Sequence, residues 1–467
     1  MTKGKELIRN TGILFIGKIS TQFVSFLLLP LYTARLATQE YGTLDLYTTI
    51  ASLLMPFLTL QLEQAVFRFL LTAEEDEKSV LSSTAIFLFL SSLFLIAIFI
   101  PISQLVTIQF KGQVLMYYIT MLFSTVSQQL PRGYGRYSLY TLVAFLSSTI
   151  SIIFSVLFIC GFNQGIEGIL TARIISGIFC VIFVLIKSNL WEKFRLRYFS
   201  KKCLKSMLTY STPLVFNQLA SWVVNSSDRF IIIAILGIST NGIYAIANKF
   251  FSLITTTLNI YNLAWTESVT KTLHDSDRNT YYNKVFSLTT SFFLMAAAGV
   301  SSGIGIFFKY FINANYDAAY YQIPILVYAA MFSGLSANVG SIYIAYKKTK
   351  EISYTTILTA VINVIIHLGL IGFLKLYAAS ISTLFSFFAM FLYRIYRLRN
   401  IEKLHFDVKV LVPQIPFGIF ALVTYYMRNI VLQLIAFALL VTYAVYFIFN
   451  KETFQYQFKL ILGRFKK

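Results

Sequence analysis

Residues 221–237 read SWVVNSSDRFIIIAILG, and Asp228-Arg229 places two charges in a run otherwise suited to the interior of a membrane. A charged side chain at the bilayer centre costs about 2.5–3.5 kcal/mol on insertion scales, so such residues face protein or water. There, basic groups can hold an anionic solute as point charges or guanidinium forks, and carboxylates can pair with them or exchange protons. Asn217, Gln218, Ser221, Asn225, Asp228 and Arg229 fall within an arc of about 120° at 3.6 residues per turn, so the charged pair completes a polar stripe. The sequence GISTNG then turns the chain back, and Asn248, Ser252, Thr255, Asn259 and Asn262 continue the polar surface on the next helix. Lys249 is about as far from that turn as Arg229, which predicts an Asp228–Lys249 ion pair with Arg229 facing the interior.

The N-terminal half repeats the pattern at another depth. Lys18 and Glu63 are similarly distant from their turn and are expected to pair, while Arg173 lies in an outer half-span with Glu167 above it. Arg68 is near an inner helix end, where its long stem can carry the charge to the headgroups. The intramembrane bases Lys18, Arg68, Arg173, Arg229 and Lys249 outnumber the acids Glu63, Asp228 and Glu167, an excess that suits an anionic solute. Lys18, Arg173, Arg229 and Lys249, with Gln218, Asn225, Asn248 and Asn259, are the candidate solute-binding residues; Glu63 and Asp228 are candidate coupling or ion-pair groups.

Other chemistries fail on context. Residues 12–18, GILFIGK, fit the opening of a phosphate-binding loop, but Ile19 stands where Ser or Thr is required and the stretch is an apolar helix. Asn225-Ser226-Ser227 is a glycosylation sequon that would be buried in the membrane. His274, His367 and His405 are far apart in sequence, and Cys160, Cys180 and Cys203 form neither a disulfide framework nor a zinc pattern. No metal, cofactor or catalytic set is expected, so the reading is a non-enzyme that draws on an ion gradient, membrane potential or substrate consumption.

The elements that must position these groups are membrane helices. Of 467 residues 57% are hydrophobic and 12% charged, and apolar runs of spanning length follow one another almost end to end. Fourteen spans are expected, at 11–35, 42–71, 80–108, 113–131, 138–160, 166–187, 206–236, 242–270, 281–309, 321–346, 352–374, 376–396, 409–427 and 430–449. The first lacks a small-residue cleavage site and reads as a retained span. The net charge of +20 is dispersed in short clusters, which argues for a topology signal rather than a nucleic-acid surface. With the N-terminus inside, 29 Lys/Arg fall on the inner side against five outside, which predicts a multi-pass cell-membrane protein with both termini cytoplasmic.

The most basic loop, 187–205, separates six spans from the rest. A shift of 200 residues lays LATQEYGTLDLY (36–47) over LGISTNGIYAIA (236–247), and Thr11, Lys18, Thr21 and Ser25 over Ser211, Gln218, Ser221 and Asn225. The expected fold is an all-α polytopic membrane protein: an N-terminal lobe (1–190), a basic cytoplasmic linker (191–205), a C-terminal lobe (206–400) related to the first as a parallel repeat, and two further spans with a basic tail (401–467).

Residues 210–250, YSTPLVFNQLASWVVNSSDRFIIIAILGISTNGIYAIANKF, with QEYGTLDLY (39–47) and LEQAVFRF (62–69), resemble the polysaccharide-transporter branch of the multidrug/oligosaccharidyl-lipid/polysaccharide exporter superfamily, the Wzx-type flippases. The resemblance implies V-shaped paired lobes, a central basic cavity and alternating access. It also implies a polyprenyl-diphosphate-linked oligosaccharide as solute, membrane lipids and polysaccharide polymerase or assembly proteins as partners, and C-terminal spans that help form a groove for the lipid tail. Phe251 stands where relatives often carry proline, which leaves a kink in span 8 in question. The alternatives are a drug or metabolite antiporter of the same superfamily and a membrane-embedded polysaccharide polymerase or ligase.

Overall fold

The structure is a computed structural model and describes residue 22, residues 26–190, 193–402, residue 404 and residues 412–450, with side chains described through 446. Among the described residues no strand occurs. Helices are the answer a membrane imposes, because each backbone N–H and C=O must be satisfied within its own segment. The N-terminal helices are α1 (Leu29–Arg35), α2 (Thr38–Thr59), α3 (Leu62–Thr72), α4 (Glu77–Leu105), α5 (Lys111–Gly133), α6 (Tyr137–Val156) and α7 (Ile166–Lys187). They are followed by α8 (Lys201–Leu236), α9 (Ile238–Lys271), α10 (Arg278–Phe311), α11 (Ile323–Ala345), α12 (Thr349–Leu374), α13 (Leu376–Leu398), α14 (Ile415–Tyr426) and α15 (Ile430–Asn450).

Each expected span from the third to the fourteenth corresponds to one of these helices, and α1 is the end of the first. The second is broken. Leu60 and Gln61 both adopt left-handed backbone angles, and α3 leaves α2 at 51°. Eight described helices are long and apolar enough to cross a membrane, nine with the bent pair. The polar stripes of α5 and α9 dilute their apolar character, although both are of spanning length. Span 8 is continuous: α9 runs 34 residues through Phe251.

The chain divides into two compact units, Met1–Ser226 and Ser227–Lys467. The division falls within α8, whose first part is held by the N-terminal unit. Tyr210 packs on Phe69 with Arg68 over its ring, and Trp222 Nε1 donates to Ser52 Oγ at 3.0 Å. In the C-terminal unit small residues let helices approach closely, the usual device where lipid supplies no hydrophobic drive. Gly334 of α11 lies against Leu258 of α9, which brings Asn262 Nδ2 to within 3.0 Å of the Gly334 carbonyl; Trp265 Nε1 donates to Asn338 O one turn on.

Both units tie the same three places together by side-chain contacts of opposite polarity. In the first, Glu77 at the start of α4 meets Lys193 beyond α7 at 2.7 Å and accepts from Tyr134, the residue that closes α5. In the second, Arg278 at the start of α10 meets Glu402 beyond α13 at 3.3 Å, and Glu402 accepts from Tyr346, which closes α11, at 2.6 Å.

The two C-terminal helices dock on α10. Gln433 of α15 fits where Gly305 has no side chain and donates to Tyr320 Oη at 3.0 Å. Tyr320 and Tyr425 stack with ring centroids 4.0 Å apart, and each hydroxyl donates to the other's carbonyl.

Candidate solute and coupling site

Asp228 of α8 is 3% exposed, and three helices of the C-terminal unit converge on its carboxylate. His367 Nδ1 of α12 is 3.0 Å from Oδ1, and Tyr244 Oη of α9 donates to Oδ2 at 3.0 Å. Thr383 Oγ1 of α13 lies 3.0 Å from Oδ2 and 2.8 Å from the Ala379 carbonyl, so one hydroxyl proton is shared between two acceptors. Asn363, one turn before His367, donates to Thr383 Oγ1 at 3.4 Å. His367 is fully buried, and among the described residues its Nε2 has no hydrogen-bond partner.

The expected Asp228–Lys249 pair did not anticipate these partners. The Asp228 oxygens are met by His367, Tyr244 and Thr383. Equal distance from a turn fixes height along a hairpin but not rotation about each helix, and it is blind to the two helices that arrive from 120 residues and more away.

Arg229 points to the neighbouring turn of α9, where its Nη2 donates to Asn248 Oδ1 at 3.1 Å. Asn248 is buried and its Oδ1 also accepts from Ser252. Two expected solute groups are thus brought together, with the guanidinium held by a neutral amide. Lys249 is half-buried beside them in sequence, Gln218 and Asn225 are exposed on α8, and Asn259 is exposed on α9. Asn225 Nδ2 turns back to the Ser221 carbonyl at 2.7 Å.

In the N-terminal unit Arg173 sits over the Tyr117 ring at 5.6 Å. It lines a cavity of about 270 Å³ with Thr120, Ser124, Gln128, Ser147 and Ser176, drawn from α5, α6 and α7. Glu167 does not face it as a bare charge: Gln113 Nε2 donates to Glu167 Oε1 at 2.8 Å.

Glu63 falls in the first turn of α3, directly after the helix break, 7% exposed and with Oε2 unpartnered among the described residues. A half-helix start carries free N–H groups and positive dipole, which favours a carboxylate there. Lys18, its expected partner, lies outside the described residues.

His367, Tyr244, Thr383 and Asn363 were not among the expected site residues. VINVIIHLGL (361–370) carries the missed signal, since an ionisable side chain within a span is a functional candidate by itself, and Asn363 and His367 are spaced to share a face.

These features define a multi-pass α-helical membrane protein with polar and ionisable side chains inside its spans. The sequence pattern of the family described as polysaccharide biosynthesis protein matches residues 7–269, and the chain belongs to that family. It is 21% identical over 265 residues to the Lsg locus putative protein 1 of Haemophilus influenzae, a match covering 56% of this chain and 65% of that relative's length. Its fold is similar to that of the lipid II flippase MurJ in an inward closed conformation, with a TM-score of 0.69 at 15% identity over 95% of this chain and 99% of the other. It is also similar to an inward-facing multidrug resistance MATE family transporter of the MOP superfamily, with a TM-score of 0.64 at 16% identity over 83% and 98% of the two chains.

Proposed function

We propose that the protein is a flippase that carries polyprenyl-diphosphate-linked oligosaccharide repeat units from the inner to the outer leaflet by alternating access, for capsule, O-antigen or exopolysaccharide assembly. The observation that carries this reading is the set of cations within spans, Arg173, Arg229 and Lys249, set among amides and hydroxyls, with Arg229 held by Asn248. A diphosphate needs such cations, and sugars need the hydrogen-bonding groups of Gln218, Asn225, Asn248 and Asn259. The prenyl tail stays in lipid, and polysaccharide polymerase and assembly proteins are the partners on the receiving side.

In this reading 1–190 and 206–400 are the two lobes, 191–205 is a cytoplasmic linker, and 401–467 adds two spans and a tail. The protein lies in the cell membrane with both termini cytoplasmic. The same fold carries a multidrug transporter, but a cationic drug needs an accessible acid, whereas Glu63 and Asp228 are both buried. Structure determination with a lipid-linked oligosaccharide tests the reading: density for the diphosphate is expected beside Arg229 and Lys249, and a diphosphate bound away from every one of these cations would overturn it.

A further inference from the structure

His367 and Asp228 are a buried pair of titratable groups that diphosphate binding does not use. We propose that they form a one-proton site inside the membrane, loaded and unloaded at His367 Nε2, and that this proton is the coupling ion. With His367 neutral, its Nδ1–H donates to Asp228 Oδ1, the cluster carries one net negative charge, and Nε2 is a lone-pair acceptor. Adding a proton from water forms the Nε2–H bond and leaves an imidazolium–carboxylate pair of no net charge; release returns the proton to water. Nε2 lacks a partner in either state among the described residues, as acceptor or as donor. A buried unpaired polar atom is costly, so both loading and unloading require a conformation in which water reaches this nitrogen. Proton exchange is thereby tied to rearrangement of α8, α9, α12 and α13.

The surroundings favour a proton over a metal cation. The hydroxyls of Tyr244 and Thr383 and the ring nitrogen of His367 direct hydrogens at the carboxylate, where a cation would need lone pairs. The groups on each packed element are Asp228 and Arg229 on α8, Tyr244 and Lys249 on α9, and His367 on α12; α13 contributes the uncharged Thr383. Arg229 is engaged by Asn248.

The chain holds three histidines, so replacing His274 and His405 with Gln leaves one imidazole to observe. In the full chain reconstituted in bilayers and labelled with 15N-histidine, His367 should pass from one protonated ring nitrogen to two as pH is lowered across the range in which the protein stays folded. Asp228→Asn should abolish the Nδ1–H bias. A protonation state that stays fixed across the range, or a signal that moves with Na+ at constant pH, would overturn the proton site.

The coupling role rests on the flippase reading. A one-unit pH gradient acting through one proton is worth about tenfold in solute distribution, and His367→Asn, which retains a donor at the Nδ1 position, should lose that tenfold effect. Retention of it would overturn the coupling role. If the flippase reading itself is wrong, the NMR titration still appears while no lipid-linked oligosaccharide moves.

Discussion

Arg229 and Asn248 show how a charge is held inside a membrane. Asn248 Oδ1 accepts a charge-assisted hydrogen bond from the Arg229 guanidinium. Arg229→Ala and Lys18→Ala should keep normal membrane abundance yet lose export of the polymer repeat unit, as scored by surface polymer at matched expression. Arg229→Lys keeps charge but not the planar fork and should retain partial activity. Normal export in both alanine variants would contradict a solute site built on these cations. Thr383→Val removes one hydroxyl from the buried carboxylate and should cost about 1–3 kcal/mol of stability, read by thermal unfolding in detergent.

At the level of elements, the polar stripe on α8 and the hairpin into α9 were legible because helical period and charge placement are local. The partners of Asp228 were not, since His367 and Thr383 reach it through tertiary packing. Nor was the break between α2 and α3, where Leu60 and Gln61 take positive φ without the glycine that normally announces it. The parallel repeat was legible as a weak 200-residue echo, but its side-chain expression, Glu77–Tyr134–Lys193 in one unit and Arg278–Tyr346–Glu402 in the other, has reversed charges that no alignment of like residues would find.

The Glu77 contact is testable. Burial pushes its carboxyl up, but the hydrogen bonds from Lys193 and Tyr134 together outweigh that and hold it below its ordinary value. A depressed carboxyl contributes stability above its unfolded-state value and loses it as pH falls through the folded one. Mild acid should therefore loosen the 193–200 segment from α4, read as faster hydrogen exchange there. Glu77→Lys and Lys193→Glu should each destabilise, and the double reversal should recover about 0.2–1 kcal/mol; no recovery would assign the contact no energetic role. Gly305→Ala should displace Gln433 and cost about 1–3 kcal/mol by overpacking.

For the whole molecule, charge alternation predicts 187–205 in the cytoplasm and Asn241 and Asn315 outside. Single-cysteine variants treated with an impermeant thiol reagent should label at Asn241 and Asn315 in intact cells and at Ser200 only after permeabilisation. Outward labelling at Ser200 would invert the topology and with it the direction of transport. The most direct test of the central claim is translocation by the purified protein in vesicles, with a polyprenyl-diphosphate oligosaccharide supplied in one leaflet and its arrival in the other read by an impermeant sugar-modifying enzyme. Protein-dependent translocation that is lost in Arg229→Ala is the expected result; no protein-dependent movement, or equal movement with the Arg229→Ala variant, would contradict it.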